Sequence, residues 1–162
     1  MAAMDRGRLG IYLNDHLAAA DAALARARAS ARWNRASKLG ESLEGFVRDA
    51  SEDREALLGV IRALGLDRNV FKEGAALAAE RVGRLKLNGR LFHYSPLSRL
   101  EELELFEASA SANAALWETL QALSDHEPRL DPAQLATRHH RAKAQSDTLA
   151  HLRRQHIRHA FA

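Results

Sequence analysis

The chain has 162 residues, carries 24 Lys and Arg against 21 Asp and Glu, and contains no cysteine. That length suits one domain with a real core, and the lack of cysteine excludes disulfides, thiolate metal sites and cysteine nucleophiles. A formal charge of +3 is too small to imply a nucleic-acid partner by itself.

Leu and Ala dominate, and β-branched and aromatic residues are scarce, so the composition favours helix throughout. The first ten residues carry Asp5, Arg6 and Arg8, and no signal-type apolar stretch follows. No apolar run approaches the ~20 residues that span a bilayer. A soluble, cytoplasmic protein with no membrane partner is expected.

Four long helices are predicted. The first covers roughly 8–32, with Leu9, Leu13, Leu17, Ala20, Ala23, Leu24 and Ala27 at helical spacing. The second covers roughly 38–64, with Leu43, Phe46, Val47, Ala50, Leu57, Val60, Ile61 and Leu64 on one side. Gly65 then suits a left-handed cap. A connector of about thirty residues, 65–95, follows. Its first half, 69–87, reads as a short extra helix ending at Asn88-Gly89, although the alternation over 84–90 also fits a loop or a hairpin strand. Leu91, Phe92, His93 and Tyr94 are expected to anchor the connector to the bundle. The third helix, roughly 96–123, opens on Ser95-Pro96, a cap followed by proline at the first helical position. The fourth, roughly 132–159, opens on Asp131-Pro132, with Gln134 placed to reach back to the cap.

Two hairpins need only a short link. A connector this long instead suits the one long crossover of a ferritin-like bundle. The expected fold is therefore all-α: a single ferritin-like four-helix bundle over 1–162, with the crossover between its second and third long helices. In that arrangement the first and fourth helices lie diagonally. Each basic helix then touches acidic ones: the fourth carries six Arg or Lys and one acid between Arg138 and Arg158, whereas Glu41, Glu44, Asp49, Glu52, Asp53 and Glu55 make the second acidic.

A di-metal carboxylate bundle takes one carboxylate from each of two helices and a Glu-x-x-His pair from each of the other two. His16 and Asp53 are equidistant from the first interhelical turn and should lie level. Both interrupt apolar stripes. They are expected to form a hydrogen-bonded pair that fixes helix register, with Asp53 also meeting Arg54 or a basic group of the fourth helix. Elsewhere at this height stand Ala50, Ala110, Asn113, Ala142 and Gln145, and no Glu-x-x-His occurs. A degenerate iron, manganese or zinc site would combine His16 and Asp53 with Glu52, Glu104 or Glu107. His156 and His159 share a helix face and lack a carboxylate, so they read as solvent-facing. Ser95, Ser98 and Ser111 lie at a cap or within a helix, without the strained turn of a catalytic nucleophile. Trp33 and Trp117 read as core or interface anchors.

Tyr12-Leu-Asn-Asp-His16, Glu52-Asp-Arg54, Gly83-Arg-Leu-Lys-Leu-Asn-Gly89 and Ser95-Pro-Leu-Ser-Arg-Leu100 together resemble a family of small uncharacterised bacterial ferritin-like proteins, over most of the chain. The resemblance implies a ferritin-like bundle and no established activity. The standard di-iron ligands do not map onto these residues, so ferroxidase or oxygenase chemistry is not carried over. Three functional expectations follow. The first is a non-enzymatic structural or interaction protein, homodimeric through the alanine-rich face between Ala18 and Ala31, with no cofactor. The second is the degenerate metal-binding bundle. The third is a carrier of a small apolar ligand, in an open cavity lined by Leu57, Phe106 and Trp117.

Overall fold

The computed structural model describes residues 4–67 and 95–162. The expected connector helix, the 84–90 alternation and the anchor at 91–94 all lie outside the described residues. Those described are helical, with no strand among them. The helices are α1 (Arg6–Trp33), α2 (Lys38–Ala63), α3 (Pro96–Leu123) and α4 (Pro132–Ala160). A 3₁₀ turn at Ser124–His126 joins the last two.

Side chains that satisfy the first free N–H groups set where each helix begins. Asp5 caps α1 by accepting from the Arg8 N–H, and Ser37 caps α2 by accepting from Gly40. Ser95 accepts from Ser98, and Asp131 from Ala133 and Gln134. The Gln134 side-chain amide also donates to Asp131 Oδ2 at 2.8 Å, the reciprocal contact expected of that cap. α2 ends at Gly65, whose φ of +60° is the left-handed conformation glycine tolerates. The turn between α1 and α2 is tight enough to restrict side chains. A Cβ on Gly40 would stand 2.2 Å from the Asn34 carbonyl oxygen.

Hydrogen bonds between helices fix their directions. Tyr12 Oη donates to Thr119 Oγ1 at 3.2 Å and Ser30 Oγ to Glu102 Oε2 at 2.5 Å, so α1 and α3 run antiparallel. Phe46 meets Phe106 with ring centroids 5.4 Å apart, and Asn113 meets Asp53, so α2 and α3 run parallel. α1 lies along both α2 and α3; α4 lies along α3 and touches α2 more narrowly. Leu64 and Ser95 therefore sit at opposite ends of the bundle.

The core falls into two clusters. One gathers Leu9, Leu13, Leu64, Trp117, Leu120 and Leu135 at the end where α2 finishes. The other gathers Ala27, Leu43, Phe46, Leu103, Phe106 and Leu149 at the opposite end. Trp117 is fully buried, as expected of an anchor, whereas Trp33 is 64% exposed. The first end is closed by ions. Arg129 grips the buried Glu127 and also donates to the Leu64 carbonyl at 3.2 Å, and Arg6 reaches the same carbonyl. The Arg129 guanidinium holds the Glu127 carboxyl down to about 2.

Two measurements check this account. Gly40→Ala should destabilise the protein by about 1–3 kcal/mol through the clash with Asn34. Gly59→Ala, where nothing lies within 4 Å of the added carbon, should stabilise it by about 0.5–1 kcal/mol in chemical denaturation. Glu127 contributes stability that is present above its unfolded pKa of 4.5 and lost as pH falls toward 2. Glu127→Gln should therefore lower the midpoint at neutral pH, and its difference from the parent should shrink steadily across that acid window.

Candidate functional site

Between the two core clusters the bundle is underfilled. Large side chains on either side of mid-height hold the helices apart, while the middle stretches of three helices supply alanines: Ala19, Ala20, Ala22 and Ala23 on α1, Ala50 on α2, and Ala108, Ala110 and Ala112 on α3. A methyl group cannot span helix axes that Leu, Phe and Trp have set ~8–10 Å apart. The result is a partly open cavity of about 420 Å³. Leu24, Phe46, Leu57, Leu105 and Leu116 complete its apolar wall. Its polar wall is Asp15, His16, Asp53, Arg54, Ser109, Asn113 and Gln145.

His16 and Asp53 both line this cavity. They are not hydrogen-bonded to each other among the described residues. Asp53, 3% exposed, is instead held by α3 and α4. Asn113 Nδ2 donates to its Oδ2 at 2.8 Å, Arg138 Nη1 to its Oδ1 at 3.0 Å, and Arg141 Nη2 to the same Oδ1. Two guanidiniums on a buried carboxylate outcompete a neutral imidazole, which corrects the expected pairing. Of the two cationic partners foreseen for Asp53, the fourth helix supplies the actual one. Arg54 turns to Asp21 and to Glu55.

His16 is half-buried and packs its ring edgewise on Tyr12, centroids 4.6 Å apart. Burial pushes its pKa below the usual imidazole value, and the Asp15 carboxylate opposes that only in part. The ring is therefore neutral near pH 7, and it has no hydrogen-bond partner among the described residues.

The other metal candidates are dispersed. Glu52 pairs with Arg141 at 2.7 Å and Glu107 with Arg153 at 2.6 Å, while Glu104 is exposed. Among the described residues no group of three or more His, Asp or Glu side chains gathers where a metal ion could be held. His156 is half-buried with Nδ1 on the Leu152 carbonyl, and His159 is exposed. The same ion pairs show basic helices meeting acidic ones: α4 reaches α2 through Arg138 and Arg141, and α3 through Arg153, while α1 reaches α3 through Arg26 and Glu102.

Leu57 lines the cavity as expected, but Phe106 and Trp117 do not. Both are fully buried, inside the clusters that flank it. A void opens where side chains are small, so the density of alanine was the sequence signal for its walls. Asn113 and Gln145, met in the sequence only as positions lacking a metal ligand, are two of its polar groups. Gln145 Nε2 donates to Asp49 Oδ2 at 3.1 Å.

Removing Asp53 leaves two cations facing one another. Their side chains keep 29% and 32% of their exposure, so water relieves part of the cost. Asp53→Ala should cost about 2–4 kcal/mol in urea unfolding, and His16→Ala under about 1 kcal/mol, since it removes ring packing and no ion pair.

No helix among the described residues is long and apolar enough to cross a membrane. Neither a protein-family model, nor a curated protein, nor a solved structure matches this chain.

Proposed function

We propose that the protein is a non-enzymatic helical bundle that reversibly binds a small, largely apolar molecule at mid-bundle. The observation carrying this is the cavity of about 420 Å³ between two packed clusters. It falls within the roughly 300–1,000 Å³ of ordinary small-molecule sites, and its mix of many apolar walls and few polar groups is theirs too. Such a gap is costly to keep in a core otherwise free to fill it with larger side chains.

A ferritin-like connectivity belongs to the same reading. It is supported by parallel α2 and α3, by α1 lying diagonal to α4, and by the placing of Leu64 and Ser95 at opposite ends. A metal centre on His16 and Asp53 with Glu52, Glu104 or Glu107 is the weaker reading. Asp53 already faces two guanidiniums, and Glu52 and Glu107 each face one. A cation there would have to displace arginines. A homodimer is also part of the proposal, through the part of the α1 alanine-rich stretch left outside the core, notably the exposed Ala25.

Propylbenzene, titrated while methyl resonances are followed by NMR, tests the reading. Saturable binding with a Kd on the order of 0.1–1 mM is expected for a probe of this size, with shifts confined to Leu24, Leu57, Leu105 and Leu116. Ala20→Leu and Ala50→Leu should abolish binding while preserving or raising the melting temperature. Non-saturable shifts spread over the surface would remove the proposal.

A further inference from the structure

We infer that the cavity selects an uncharged ligand bearing a hydroxyl group on an otherwise apolar body, of the phenol or alcohol class. This rests on the ligand-binding reading above and follows from which polar atoms of the wall remain unengaged.

The charged groups are engaged or solvated. Asp53 is satisfied by Arg138, Arg141 and Asn113, and Arg54 by Asp21 and Glu55. Asp15 is exposed. An ionic ligand would therefore give up its own hydration without meeting an unpaired buried counter-charge, and that loss is large for a full charge.

The amides are oriented by what they touch. A carboxylate only accepts hydrogen bonds, so the side-chain nitrogen of Asn113 must face Asp53 and that of Gln145 must face Asp49. The carbonyl oxygen of each amide is then turned away from its carboxylate. Neither oxygen has a hydrogen-bond partner among the described residues. His16 adds an imidazole with one donor and one acceptor nitrogen, and Ser109 a hydroxyl that both donates and accepts, all unengaged among the described residues. The wall thus presents neutral acceptors in excess, together with two donors. A hydroxyl both donates and accepts, and satisfies that set. A purely apolar ligand leaves those oxygens bare, and a carboxylate brings more acceptors to them.

Four probes of matched size decide the matter by calorimetric titration of the whole chain: 4-propylphenol, propylbenzene, 4-propylbenzoate and 4-propylbenzylamine. The phenol should bind about fivefold or more tightly than propylbenzene, as one added neutral hydrogen bond provides, and the two ions more weakly than either. Gln145→Met and His16→Leu keep the Asp53 ion pairs, and each should reduce the ratio of phenol to propylbenzene affinity by about twofold or more. Equal binding of phenol and propylbenzene, or tightest binding of either ion, overturns the inference. So does a phenol preference that survives both substitutions. If none of the four binds, the ligand-binding reading itself fails.

Discussion

One buried carboxylate organises this bundle. Asp53 projects from α2 and receives Asn113 from α3 with Arg138 and Arg141 from α4, so a single side chain ties three of the four helices. The tie matters most between α2 and α4, whose packing is otherwise narrow. Apolar surfaces slide at little cost, whereas two guanidiniums sharing one carboxylate oxygen define a register. Burying the ions carries its own expense, visible in the Arg141 Nε, which has no hydrogen-bond partner among the described residues. Specificity of alignment, more than net stability, is what such a cluster supplies.

The rest of mid-height follows from that alignment. With Asp53 neutralised from the α4 side, the α1 side of the same level is lined mainly by alanines and one neutral imidazole, with the Asp15 carboxylate at its exposed margin. Trp117 and Phe106 close the space above and below without entering it. Arg138 extends the link, its guanidinium carbon 5.5 Å from the Trp117 ring centroid, so the ion cluster and the neighbouring apolar cluster are braced against each other.

Much of this architecture was legible in the sequence because helix punctuation is local. Ser95-Pro96, Asp131-Pro132 and Gly65 set three boundaries through backbone chemistry that depends on no distant contact, and the structure differs from the expected ends by at most two residues. Counting residues from the first turn brought His16 and Asp53 together, since an antiparallel hairpin has fixed geometry, and both line one cavity. What that counting could not supply was the rotation of a third and a fourth helix about the pair. For this reason the guanidiniums that capture Asp53 were foreseen only as a basic group of the fourth helix, and of the three residues expected in the cavity wall Leu57 lines it while Phe106 and Trp117 pack in the flanking clusters. Glu102 with Ser30 and Arg26 carried no periodic signal, because these residues meet only in the finished fold. Glu127 and Arg129 are two residues apart in one turn, and what the sequence does not display is their joint docking on the end of α2.

The two tight turns divide the chain into hairpins whose internal contacts are close in sequence, and such contacts form quickly. Contacts between the hairpins join distant segments: Tyr12 with Thr119, Asp53 with Arg138. Docking of one preformed hairpin on the other is thus the step with the greatest loop-closure cost. The mid-bundle space exists only after that docking, because its walls come from both hairpins. Anything held there therefore bridges the two hairpins, and stabilises their assembly more than either hairpin alone.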